Sequence, residues 1–269
     1  MVRDATGALD WVVILGAGCG KSDHVARRQE VSVLPRPRDP LLVLLAGAAG
    51  CIDALSYLRL GNVFTANMTG NAVLLGIAAG QQATARALHS VAALAGFAVG
   101  ALVGAALCGR REQSEAGRWP PRVTLALAVE LIVLLAVAAG WALAGGDPAG
   151  GAEYGLAGVL AMAMGVQSAA VQQLRVAGVA TTYVTGTLTG LLGDVALPGA
   201  SRGSLARRSG VLLALVTGAG VGAAVVGVAG GVAALIPVVL VAAVVTVAAR
   251  GRPRRARPAP EERGPMADA

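Results

Sequence analysis

The stretch LLVLLAGAAGCIDALSYLRLGNVFTANMTGN, residues 41–71, decides the fold because it joins a long apolar run to a short polar one. Residues 41–58 carry a single charged group, Asp53, and approach the roughly 20 apolar residues that a membrane-spanning helix needs. The run VFTANMTGN at 63–71 follows at once and is rich in hydroxyl and amide side chains. These belong to Thr65, Asn67, Thr69 and Asn71. We therefore expect a membrane protein whose first span leads into a polar interruption.

The composition of the whole chain indicates a helical membrane protein. Of its 269 residues, 55% are hydrophobic and 14% are charged, whereas a soluble domain carries about 25% charged residues. The net charge of +7 comes mostly from Arg in loops and tails, where positive charge flanks membrane spans, so we predict no nucleic-acid partner. The apolar runs that qualify as full spans are 41–58, 88–108, 123–144, 154–173, 209–229 and 232–249.

Two polar tails enclose the predicted transmembrane domain at 40–249. Residues 1–39 are mixed in charge, and residues 250–269 are rich in Arg and Pro with nothing apolar to bury, so we expect both to be disordered. The cysteines are odd in number and lack the spacing of metal ligands, so we predict neither a disulfide nor a metal site. They are Cys19, Cys51 and Cys108.

The polar run of 63–71 returns later in the chain. LRLGNVFTANMTGN at 58–71 falls without a gap on LRVAGVATTYVTGT at 174–187, and the neighbouring apolar runs also correspond. Chance alignment of common small residues is the alternative, but the gapless match and its shared Arg favour an internal duplication. Repeat 1 then covers about 41–144 and repeat 2 about 154–249. The second polar run contributes Thr181, Thr182, Thr185 and Thr187.

The placement of Arg decides how the two Thr-rich runs, 63–80 and 179–196, meet the membrane. If both cross fully, the Arg-rich loop 109–122 faces outwards, against the rule that positive loops are cytoplasmic. If both are broken or re-entrant, every loop obeys the rule and both termini are cytoplasmic. Each half then has three full spans, so the second half is inverted. We predict an all-α bundle of six full spans plus two broken or re-entrant segments that approach each other from opposite faces.

Thr, Asn and Gly suit such segments because free peptide groups cannot face lipid. Their side chains complete the hydrogen bonds of the freed backbone, and the same groups can hold a small polar solute. Ordinary helix packing through small residues is the alternative for these positions. The predicted solute-binding residues are Asp53, Thr65, Asn67, Thr69, Asn71, Gln167, Thr181, Thr182, Thr185 and Thr187.

Ionisable groups inside apolar runs mark further candidates, because charge within a membrane is costly. Asp53 is the strongest, either as a proton acceptor or as a partner of Arg59. Glu130 and Asp194 are weaker, because we place both of them towards the membrane surface. No arrangement of nucleophile and base is recognisable, so we predict neither an enzyme nor a cofactor.

Both polar runs also carry a family resemblance. DALSYLRLGNVFTANMTGN, followed by GVQSAAVQQLRVAGVATTYVTGTLTGLLGD, resembles the YoaK family of bacterial membrane proteins over roughly 41–249. That family is classed as one of unknown function, so the resemblance implies a multi-span inner-membrane protein and supplies no substrate or catalytic residue. The long N-terminal tail departs from the pattern that the resemblance implies.

These inferences favour a transporter or permease-like protein of the cell inner (plasma) membrane that moves a small polar solute, with a proton as coupling ion. The alternative is a membrane assembly or lipid-interaction protein that transports nothing and uses its Thr and Gly for packing. The predicted partners of the protein are the lipid bilayer and, under the transporter hypothesis, the solute and the proton. A homo-oligomer is compatible with either hypothesis.

Overall fold

The computed structural model describes residues 39–109, 119–174, 184–196 and 202–251, and these are helical apart from short turns and loops. No β-strand occurs in these ranges, in agreement with the all-α class. Residues 1–38 and 252–269 of the predicted tails, together with Thr181 and Thr182, lie outside the described residues. The helices are α1 Asp39–Arg59, α2 Met68–Gly80, α3 Thr84–Cys108, α4 Pro121–Leu143, α5 Gly151–Gln172, α6 Val184–Ala196, α7 Arg202–Ala229 and α8 Leu235–Arg250, with a 3₁₀ turn, Gly230–Val232, before α8.

Helix length separates the spanning elements from the short ones. Among the described residues, 5 helices are long and apolar enough to cross a membrane, namely α1, α3, α4, α5 and α7. The predicted sixth span is α8, which has 16 residues. The helices of the two Thr-rich runs, α2 and α6, have 13 residues each, or about 20 Å, against a hydrocarbon layer of about 30 Å. The chain is therefore a polytopic helical membrane bundle, as predicted.

The outer surface of the bundle is apolar where a soluble protein would be polar. Leu143 is 90% exposed, Val228 is 87% exposed and Leu102 is 72% exposed. A large apolar surface of this kind would promote aggregation in water, whereas lipid chains cover it at no cost. The exposed residues thus agree with a membrane environment.

Two close helix crossings form the centre of the bundle: α1 packs along α7, and α3 packs along α5. Glycine permits both, because a Cβ at Gly218 would lie 2.1 Å from the carbonyl oxygen of Gly47. At the other crossing, a Cβ at Gly100 would lie 1.9 Å from the carbonyl oxygen of Met162. The helix backbones are therefore in direct contact, as in the small-residue packing of membrane helices.

Ion pairs mark the two ends of α1. At its C-terminal end the Arg59 guanidinium lies 2.7 Å from the Asp147 carboxylate, in the loop between α4 and α5. At its N-terminal end the Asp39 carboxylate lies 3.7 Å from the Arg207 guanidinium of α7. The suggested pairing of Arg59 with Asp53 is wrong, because the two side chains leave α1 in different directions and Asp53 bonds to the segment after the helix.

The two short helices are attached at opposite ends of the bundle. Gly61, just after α1, rests against the ring of His89 in α3, so the chain leaves α1 and enters α3 at the same end. At the other end the Asp194 carboxylate of α6 accepts a hydrogen bond of 2.5 Å from the Ser204 hydroxyl of α7. Asp194 also lies 3.3 Å from the Arg208 guanidinium. The end of α6 is thus fixed to the start of α7, near Asp39.

Candidate functional site

A cavity of about 1010 Å³ lies between α1, α2, α3, α6 and α7. It reaches Gly50 and Asp53 near the middle of α1, and it is lined by residues of both Thr-rich runs. Most of the lining is apolar. The polar side chains that line it are Asp53, Tyr57, Asn67, Thr69 and Thr185.

Asp53 holds the chain where it breaks from helical structure after Leu60. Its Oδ1 atom accepts hydrogen bonds of 2.8 Å from the backbone N–H groups of Thr65 and Ala66. The Thr65 hydroxyl lies 3.3 Å from the same oxygen. Thr65 is fully buried, so these N–H groups have no access to water and need an acceptor from the protein. The carboxylate supplies it, and Asp53 therefore lies beneath the polar run as its anchor.

Asn71 and Asn67 complete the same segment. The Asn71 side chain bonds both backbone groups of Phe64: its Oδ1 accepts from the N–H at 2.9 Å and its Nδ2 donates to the carbonyl oxygen. Asn67 caps α2, because its Oδ1 accepts from the Gly70 N–H at 3.2 Å. The amides at 67 and 71 thus satisfy freed peptide groups, which is the backbone role expected of a broken segment in a membrane.

The cavity brings together part of the predicted solute-binding set. Asp53, Asn67, Thr69 and Thr185 line it, whereas Thr65, Asn71 and Thr187 are buried beside the segments and do not. Gln167 is buried between α5 and α1, where its Nε2 donates to the Leu45 carbonyl oxygen at 3.4 Å. Thr181 and Thr182 lie outside the described residues.

Three aromatic residues contribute to the site without having been singled out from the sequence. Tyr57, Phe64 and Phe97 line the cavity. The rings of Tyr57 and Phe64 stack with centroids 5.1 Å apart, so the broken segment also has an apolar contact with α1. The spacing from Asp53 to Tyr57 is one helical turn, which places both on one face and is a signal that the sequence contains.

The two weaker charged candidates lie in different surroundings. Asp194 belongs to the contact between α6 and α7 described above and does not line the cavity. Glu130 was expected near the membrane surface, but the structure corrects this. It is fully buried near the middle of α4, because α4 begins at Pro121 and extends beyond it on both sides.

Comparisons with known proteins agree with the membrane architecture. Residues 41–248 match the family described as "Protein of unknown function (DUF1275)". Over 158 residues the chain is 39% identical to the UPF0700 transmembrane protein YoaK of Bacillus subtilis (strain 168), an alignment that covers 59% of this chain and 67% of that protein. No solved structure matches the chain. The chain therefore belongs to the DUF1275 family, and the resemblance to YoaK seen in its two polar runs is confirmed.

Proposed function

We propose that this protein is a permease-like transporter that moves a small polar solute through the cavity between its two Thr-containing segments. One observation carries the proposal: Thr69 of α2 and Thr185 of α6 line the same cavity, although α2 and α6 are attached at opposite ends of the bundle. Asp53 completes the site from near the middle of α1. Substrate sites of many transporters lie at such a meeting of short or broken helices near the bilayer midplane.

An inverted internal duplication is part of the proposal, and the packing of the glycines supports it. A Cβ at Gly50 of α1 would lie 2.0 Å from the carbonyl oxygen of Leu215 in α7. A Cβ at Gly165 of α5 would lie 2.2 Å from the carbonyl oxygen of Phe97 in α3. Exchanging the two halves converts one crossing into the other. Leu215 and Phe97 both line the cavity, so the cavity lies where the two halves meet.

The lining restricts the chemical class of the solute. Among the described residues, no Arg, Lys or His side chain lines the cavity, and the ionisable groups there are Asp53 and Tyr57. An anionic solute would therefore lose its hydration without gaining a positive partner. We propose a neutral or cationic solute that bonds the Thr hydroxyls and rests an apolar part on residues such as Phe97.

The hydroxyls of Thr69 and Thr185 provide the direct test. The double substitution Thr69→Val and Thr185→Val preserves side-chain shape but removes two hydrogen-bonding groups, each worth about 1 kcal/mol. We expect uptake of small neutral and cationic polar compounds into proteoliposomes to fall about tenfold or more. Thermal unfolding of the solute-free protein should change little.

Thr217 and Thr246 supply matched controls for that experiment. The Thr246 hydroxyl donates to the Ala242 carbonyl oxygen at 2.7 Å within its own helix, and the Thr217 hydroxyl does the same to Leu213 at 2.8 Å. Neither residue lines the cavity, so Thr217→Val and Thr246→Val should leave uptake unchanged. Normal uptake by the Thr69 and Thr185 double variant would contradict the proposed solute site.

We also propose that both termini are cytoplasmic, and the described Arg residues support this orientation. Those at the Asp39 end of the bundle are Arg122, Arg202, Arg207, Arg208 and Arg250. The described Arg residues at the opposite end are Arg59 and Arg86. The excess of positive charge lies at the Asp39 end, as expected for the cytoplasmic face.

Cysteine labelling tests the orientation and the re-entrant course of the first Thr-rich run. In a protein without its native cysteines, single cysteines at Asn62 and Gln82 should both react from outside with an impermeant maleimide. A cysteine at Gly203 should react from the cytoplasmic side only. Reaction of positions 62 and 82 from opposite sides would show that the run between them crosses the membrane fully and would exclude the proposed course.

A lipid-interaction protein is the second candidate, and the apolar majority of the cavity lining favours it. Met68, Val73, Leu74 and Val184 are among the lining residues and match an acyl chain better than a polar solute. This candidate predicts that lipid co-purifies with the wild-type protein in fixed proportion. It also predicts that Thr69→Val with Thr185→Val leaves every solute flux unchanged while the lipid content stays constant.

A further inference from the structure

Glu130 is a fully buried ionisable residue that the proposed solute site does not use. It lies on the buried face of α4, between Leu127 and Leu134, each at most 1% exposed. Glu130 itself is 0% exposed. Neither Oε1 nor Oε2 has a hydrogen-bond partner in the part of the chain that the structure describes.

The elements packed on α4 offer Glu130 no positive partner. They are α3, α5, α8 and the 3₁₀ turn. The buried side chains of α8 are all apolar, and those of α5 are apolar apart from Gln167 and Ser168 towards its C-terminus. Apart from Glu130, the ionisable groups on α4 and on these elements lie in the terminal two turns of their helices: Arg86, His89 and Cys108 of α3, Arg122 of α4, Glu153 and Tyr154 of α5, and Arg250 of α8. No ion pair joins any described residue of this set to Glu130.

A bare carboxylate is not stable in such surroundings. Removing an ionised carboxylate from water without a partner costs several kcal/mol even after the protein relaxes, whereas the neutral acid loses only its hydrogen bonds with water. The carboxyl group must therefore hold a proton while α4 remains packed. We propose that Glu130 is a proton-binding site in the interior of the bundle.

Glu130 takes the proton-binding role that the sequence analysis had given to Asp53. Asp53 accepts three hydrogen bonds and thereby positions the broken segment. Glu130 has no donors, so opening of the α4 face to water is what allows its proton to leave. α4 packs on α5, whose Gly165 lies against the Phe97 carbonyl beside the cavity. This coupling role rests on the proposed function: in a transporter, Glu130 is the residue that couples proton movement to the movement of the solute.

Carbodiimide labelling of the full chain in proteoliposomes tests the proton site without requiring any transport. Dicyclohexylcarbodiimide enters apolar regions and reacts with protonated carboxyl groups. We expect mass spectrometry to find the adduct on the peptide that contains Glu130, and Glu130→Gln to abolish it. Asp147, whose side chain is 74% exposed, is the matched carboxylate in water and should remain unlabelled.

Lowering the pH supplies the opposing outcome. If Glu130 of the folded protein is unlabelled at neutral pH but becomes labelled at an acidic pH that protonates ordinary carboxylates, it is accessible but does not hold a proton in the bundle at neutral pH, and the proposal is overturned. Wild-type protein alone decides this, so a poorly folded variant cannot obscure the result. If labelling occurs but no solute flux is found, the transporter hypothesis fails while the proton site stands.

Discussion

Replacement of Asp53 by Ala is expected to collapse the first polar run and abolish solute uptake. The substitution leaves the N–H groups of Thr65 and Ala66 and the Thr65 hydroxyl without their acceptor, although Thr65 is fully buried. Each of the three unsatisfied buried groups costs about 1–3 kcal/mol, so the free energy of unfolding should fall by roughly 3–9 kcal/mol. Denaturation of the purified protein in detergent measures the loss.

Asparagine at position 53 separates the acceptor role of the carboxylate from its charge. Asp53→Asn keeps one oxygen facing the same donors, so it should lose only about 1–2 kcal/mol, the difference between charge-assisted and neutral hydrogen bonds. Asp147→Asn is the control, because its ion pair with Arg59 is exposed and worth at most about 1 kcal/mol. If Asp53→Ala and Asp53→Asn lower the free energy of unfolding equally, the negative charge of Asp53 matters more than its oxygen as a hydrogen-bond acceptor.

Gly100→Ala is the second substitution with a large expected effect, since the new Cβ would lie 1.9 Å from the Met162 carbonyl oxygen. A backbone atom cannot move aside as a side chain does, so α3 and α5 must separate along their whole crossing. Overpacking of a core costs typically 1–3 kcal/mol and occasionally more, and we expect a loss of about 3 kcal/mol or more here. Thermal unfolding followed by Trp fluorescence measures it.

Gly76→Ala makes the same chemical change without the collision. Gly76 lies inside α2 with nothing within 4 Å of the added Cβ, so Ala should be neutral or stabilising by up to about 1 kcal/mol through helix propensity. Gly218→Ala should resemble Gly100→Ala, because its Cβ would lie 2.1 Å from the Gly47 carbonyl oxygen. A Gly100→Ala protein as stable as Gly76→Ala would refute the close crossing of α3 and α5.

The sequence predicted the helices better than their contacts. Each predicted span from 41–58 to 232–249 coincides with a helix, because a run of apolar residues in lipid has no alternative to internal hydrogen bonding. The need for Thr, Asn and Gly where the helix breaks was also predictable, since the freed peptide groups of residues 64–66 require acceptors and donors.

Contacts between distant residues could not be predicted in the same way. The partner of Arg59 proved to be Asp147, 88 positions further along the chain, because helix packing rather than sequence distance brings the two together. Glu130 was misplaced for a similar reason. Its depth depends on where α4 begins and on which face meets α5 and α8, and neither is readable from an apolar run whose faces are all hydrophobic.

The glycine crossings have a mechanical consequence. Where a carbonyl oxygen rests on a glycine, no side chains interlock, so two helices can rotate against each other without any change of rotamer. Gly100 and Gly218 provide two such contacts, one between α3 and α5 and one between α7 and α1. Rotation at both would turn α5 against α3 and α7 against α1, and because α1, α3 and α7 line the cavity, it would change the width of that space.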